Sequence, residues 1–147
     1  MKRRAFIKLL GSGAAAALPL AAVAQQPERV RRLGVLVGAS EAPILRPRFV
    51  ALGQALESLG WVEGRNLQID HRWGAGNLAT IRKSAEELVA LSPDVLLASG
   101  GASIEQLLQA TRTLPIIFVI VPDPVGSGFV ESLSQPGGNA TTARPSW

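Results

Sequence analysis

The sequence contains no cysteine and a single histidine, His71. The first absence excludes disulfide frameworks, thiolate metal sites and cysteine nucleophiles. The second excludes a two-histidine zinc site and leaves little room for histidine acid–base chemistry. Three site signatures are missing too. No G-x-x-x-x-G-K-[ST] is present, which argues against a P-loop nucleotide site. Where a dinucleotide fold would carry G-x-G-x-x-G, after the first predicted strand, the chain reads Gly38-Ala-Ser-Glu-Ala-Pro43, and the proline interrupts the turn. No G-x-S-x-G occurs; Gly126-Ser-Gly128 resembles it only superficially, and no serine has a histidine partner in prospect.

An excess of one charge is also lacking once the charges are located. The net charge is +4, but Lys2, Arg3, Arg4 and Lys8 all fall in the first 24 residues, leaving 11 basic against 11 acidic residues. A neutral body without a basic stripe is a poor partner for nucleic acid. What is present suits a globular fold: 47% hydrophobic and 18% charged residues in a chain of 147, enough for one domain or part of a larger one.

The N-terminus reads as an address. Lys2-Arg3-Arg4-Ala5-Phe6-Ile7-Lys8 is a charged lead, residues 9–23 are apolar, and Ala22-Val23-Ala24 is a small-x-small cleavage site. The pair Arg3-Arg4 fits twin-arginine export, and the general secretory route stays open, because arginine pairs also occur in ordinary signals. The stretch is short for a spanning helix and carries Gly11, Gly13 and Pro19. Residues 1–24 are therefore expected to be an export signal cleaved after Ala24, placing the mature chain in the periplasm.

From residue 25 the pattern alternates. A short apolar run predicts a buried strand over 33–38. Phe49, Leu52, Leu56 and Leu59 recur at helical spacing, with Gly60 as the stop. Residues 67–73 alternate apolar and polar, as a more exposed strand does. Leu78, Ile81, Ala85 and Leu88 mark a second helix ended by Ser92-Pro93. A third strand is predicted over 94–98, a third helix from near Ser103 to Thr111, a fourth strand over 116–121 and a short helix around 129–133. Strand and helix in this order imply an α/β fold, an open doubly wound parallel sheet.

In such sheets ligands sit at the carboxyl ends of the strands. Those ends supply the candidate binding residues Gly38, Ala39 and Ser40, then Ser99, Gly100, Gly101, Ala102 and Ser103, then Val121, Asp123 and Pro124. The glycines let backbone N–H groups approach a ligand, and a helix start beside Gly100-Gly101 can accept a carboxylate or phosphate. Gly and Ser are also ordinary turn residues. His71 lies inside a strand, Asp94 stands at the opposite end of the sheet, Glu86 and Glu87 fall on a polar helix face, and Trp61 and Trp73 are expected to cover the sheet edge. No catalytic group, metal site or cofactor is expected.

Several segments together resemble a known family. They are Gly60-Trp-Val-Glu-Gly-Arg-Asn66, Ile69-Asp-His-Arg-Trp-Gly-Ala-Gly76, Ala110-Thr-Arg-Thr-Leu-Pro-Ile-Ile-Phe-Val119, and Asp123-Pro-Val-Gly-Ser-Gly-Phe-Val130 followed by Pro136-Gly-Gly-Asn139. The chain from about residue 1 to 139 is similar to ABC transporter substrate-binding proteins of the tryptophan/tyrosine-uptake type. The resemblance implies one Rossmann-like lobe of a type I periplasmic binding fold. It also implies a small-molecule ligand, such as an amino acid, and an ABC permease of the inner membrane as partner. Capture by hinge closure needs no catalytic group. Residues 25–139 match the N-terminal lobe; 140–147 read as a divergent or truncated tail where the family continues into a second lobe. Two other readings stay open: an exported single-lobe sensor or interaction domain, and an α/β hydrolytic enzyme, which the lack of a usable base disfavours.

Overall fold

The structure, a computed structural model, describes residues 29–143. The export signal expected over 1–24 and the last four residues, Arg144-Pro-Ser-Trp147, lie outside the described residues. The elements run β1 (Arg31–Val37), α1 (Arg46–Ser58), β2 (Leu67–Trp73), α2 (Leu78–Ala90), β3 (Val95–Ser99), α3 (Gly101–Ala110), β4 (Ile116–Val119) and β5 (Ala140–Thr142). All five strands form one parallel sheet in the order β2-β1-β3-β4-β5.

The order dictates the layers. Moving from β1 to β2 and then back past β1 to β3 reverses the winding, and right-handed crossovers then put α1 on one face and α2 with α3 on the other. Alternate residues serve the two sides. Leu36, Leu96, Ala98, Ile116 and Phe118 pack under α2 and α3 with Ile81, Leu88, Ile104 and Leu107. Leu33, Val35, Val37 and Leu67 form the second cluster, with Phe49 and Leu56 of α1. Gly34 belongs to the first side because a Cβ there would stand 2.7 Å from Leu96 Cδ2 and 3.3 Å from Leu88 Cδ2.

Local chemistry fixes the boundaries. After α1, Gly60 (φ +91°) donates to Glu57 O and Trp61 donates to Leu56 O, a Schellman ending that only a residue tolerant of positive φ permits cheaply. Asn77 caps α2 by accepting from the Thr80 N–H at 3.1 Å. Asp94, one residue ahead of β3, accepts from the Arg32 backbone N–H at 2.8 Å and pairs with Arg29 and Arg31.

The structure differs from the sequence expectation in three places. β4 stops at Val119, because Ile120 turns the chain with φ +58°. The helix expected around 129–133 does not form. Residues 124–128 make a turn instead, tied by Ser127 N–H to Asp123 O and Phe129 N–H to Pro124 O, and the Glu131 and Ser132 N–H groups then turn to the Pro136 and Gln135 carbonyls rather than back along a helix. Finally, the segment expected as the start of a divergent tail opens with a fifth strand. The Ile116 N–H donates to Asn139 O, the Asn139 side chain donates to the Thr111 and Leu114 carbonyls, and Ala140 is buried beside β4.

Candidate functional site

The winding reverses between β1 and β3, so the loops leaving these neighbouring strands diverge to opposite faces and open a crevice at the carboxyl edge. Of the eleven candidate residues, Gly38, Ala39, Ser99, Gly100, Gly101 and Ala102 come together there and line one cavity. The loop after β1 is held from the side: Gly74, Ala75 and Gly76 donate backbone N–H groups to Val37, Ala39 and Gly38 carbonyls, extending the β1–β2 pairing past the strand ends. Gly74 has no room for a side chain, since a Cβ would meet Ile81 and the Gly38 carbonyl. Gly38 itself donates to Ser99 O at 3.2 Å and so ties the two crevice loops together.

Across the crevice, Gly100 sits at φ +95° and ψ 156°, a backbone region essentially reserved for glycine. This conformation starts α3 without a side-chain cap. The first N–H bonded inside the helix is that of Ile104, to Gly100 O, so those of Gly101, Ala102 and Ser103 have no intrahelical acceptor. Anions are favoured at such a start.

The remaining candidates fare differently. Ser40 is exposed at the rim. Ser103 is fully buried, and its Oγ has no hydrogen-bond partner; it lies behind Gly38, 3.2 Å from where a Cβ would stand. Val121 packs partly on the core under α2 and α3. Asp123 is exposed and spends one carboxylate oxygen on the Gly126 N–H at 2.8 Å, and Pro124 belongs to the same turn. Neither lines the cavity.

Sequence reasoning missed the lower part of that cavity. It has a volume of about 840 Å³ and runs from the crevice down between α1 and the sheet, walled by Phe49, Leu52, Leu56, Leu97, Ile117 and Val119. Arg48, one residue before the predicted helical stripe, is the charged side chain that lines it. The stripe was legible, but the space in front of it depends on how far α1 stands from the sheet.

Away from the crevice, His71 on β2 lies edge-on to Phe49, with ring centroids 5.3 Å apart, and its Nδ1 is buried without a partner. Burial lowers its pKa, against the raising pull of Glu63 and Asp70. Asp94 is held below the usual carboxylate range, chiefly by the Arg32 backbone N–H. Trp73, on the edge strand β2, meets Phe49 edge-on and packs on the α1-side cluster, and Trp61 is exposed. Glu86 and Glu87 pair with Arg82 and Arg72 on the surface.

The comparisons with known proteins agree with this fold. A tyrosine-binding protein of Clostridioides difficile is 35% identical over 88 residues, which is 60% of this chain and 26% of that protein. A conserved domain protein of Vibrio cholerae superposes with a TM-score of 0.72 at 35% identity, over 78% of this chain and 38% of its own. An ABC domain from Streptococcus pneumoniae, solved in complex with L-Trp, gives 0.70 at 26% identity, again over 78% and 38%. The chain thus spans well under half the length of these relatives. The family model for ABC transporter substrate binding protein matches residues 40–143. Its members bind substrates rather than transform them, and this chain, with its α/β lobe and parallel sheet, belongs to the ABC transporter substrate-binding proteins.

Proposed function

We propose that the chain is the N-terminal lobe of an exported periplasmic binding protein that captures a small molecule, such as an amino acid, for uptake through an ABC permease of the inner membrane. The observation that carries this reading is the switch-point crevice: loops 38–40 and 99–103 diverge across it, and the uncapped start of α3 offers free N–H groups to an anionic group of the ligand. Gly38, Ala39, Ser99, Gly100, Gly101 and Ala102 form the first-lobe wall, with Ser40 at its rim. The relatives named for tyrosine and solved with L-Trp support an aromatic amino acid as the first ligand to try. Arg3-Arg4 and Ala22-Val-Ala24 support twin-arginine export and cleavage. One lobe covers one side of a ligand, and tight capture buries most of its surface. Affinity from this lobe alone is therefore expected to be weak.

The test is titration calorimetry of the chain with L-tyrosine and L-tryptophan, repeated on Gly101→Glu. A side chain at Gly101 meets no atom within 4 Å, and an acidic residue suits a helix start, so the variant should fold normally. We expect weak binding that falls at least about tenfold in the variant. Undiminished binding by Gly101→Glu would remove the ligand from this crevice.

A further inference from the structure

The two sides of the sheet are covered unequally. α2 and α3 each bury four residues, whereas α1 buries none. The space left beneath α1 is the apolar groove, bounded by Phe49, Leu52 and Leu56 on the helix and Leu97, Ile117 and Val119 on the sheet. No aspartate or glutamate among the described residues lines it. Its one charge among the described residues is the guanidinium of Arg48, in the first turn of α1 at the crevice end.

Arg48 differs from most of its kind in this fold. Arg29, Arg31, Arg32, Arg46, Arg72 and Arg82 are each paired with a carboxylate. The Arg48 side chain has no ion-pair or hydrogen-bond partner among the described residues. An unpaired cation at one end of a groove that is otherwise apolar is complementary to a molecule with an apolar body and one terminal negative charge.

We propose that this groove is a second binding site, for an amphiphilic monocarboxylate without an amino group. The apolar tail lies along α1, where removal from water drives binding, and the carboxylate meets Arg48 in a charge-assisted pair. An amino acid fits the groove poorly, because its ammonium would be buried with no opposing charge. The site shares only its upper rim with the crevice proposed above and does not depend on uptake being the protein's role. The cavity they share, about 840 Å³, falls within the range of about 300–1,000 Å³ usual for small-molecule pockets.

Dodecanoate, used below its micelle concentration, is the probe. Calorimetry should show one dodecanoate bound per chain, with dodecanol at least about tenfold weaker and dodecylamine weaker still. Arg48→Glu should lose at least about tenfold in dodecanoate affinity, and Arg48→Lys should recover most of it; Arg48 is exposed, so both variants keep the fold. Equal binding of dodecanoate and dodecanol, or an unchanged Arg48→Glu, would overturn the proposal in favour of unspecific apolar adsorption. A stable dimer by sedimentation that excludes dodecanoate would also overturn it, and would assign the groove to a second copy of the chain. Dodecanoate binding without amino-acid binding would sink the uptake reading and leave the groove standing; the converse would sink the groove alone.

Discussion

His71 shows how one side chain records its surroundings. Its ring is half-buried on β2, edge-on to Phe49, and burial lowers its pKa from 6.5. The folded state therefore prefers the neutral imidazole and binds fewer protons than the unfolded chain. Its contribution to stability is full above the unfolded value and is lost as pH falls from there through the lowered folded value. Thermal melts of the wild type should thus fall between pH 7.5 and pH 5, and His71→Gln should show a shallower fall. A variant with the same slope would assign the pH dependence elsewhere. The residue was legible as a strand residue rather than a base. Its orphaned Nδ1 was not, because that depends on Phe49 arriving from a different element.

Elements were legible where a single periodicity ran long enough. β2 is bounded at Leu67 and Trp73 as its alternation predicts, and α2 starts at Leu78 behind the Asn77 cap. β5 was not legible: three residues carry no period, and its place is fixed by Asn139 reaching the carbonyls of Thr111 and Leu114. The helix expected near 129–133 failed because Asp123 and Pro124 close a turn of their own first. Gly34 makes the packing of neighbouring elements testable. A valine there must displace Leu96 and Leu88, which join β3 and α2 to β1, with no open space to receive them. Gly34→Val is expected to cost about 1–3 kcal/mol in urea denaturation, as overpacked cores do. A change within the error of the measurement would mean that the sheet and α2 are less tightly registered than the distances indicate.

At the scale of the molecule the asymmetry of the two layers should be visible in solution. Local opening follows the amount of buried apolar contact. Amide hydrogen exchange followed by mass spectrometry should find α1 exchanging well before α2 and α3, although all three are helices of similar length. Equal protection across the three would contradict the loose seating of α1. The carboxyl edge was legible at this scale from the alternation of strand and helix, since such a pattern places the connecting loops there; the strand order that opens the crevice between β1 and β3 was not. Which loops reach it was only half legible: the turn at Asp123 satisfies itself, and the groove under α1 is a property of separation that no sequence window contains.

One further consequence belongs to the Asp94 clasp. By tying Arg29, Arg31 and Arg32 to the foot of β3, it pins the start of the central strand at the end of the sheet opposite the crevice. Arg29, the first described residue, therefore stands at the end of the sheet away from the ligand loops. On a biosensor chip, coupling through a residue engineered at position 29 would turn the crevice outward to the flowing sample, whereas coupling through one engineered into the 38–40 loop would press it against the support.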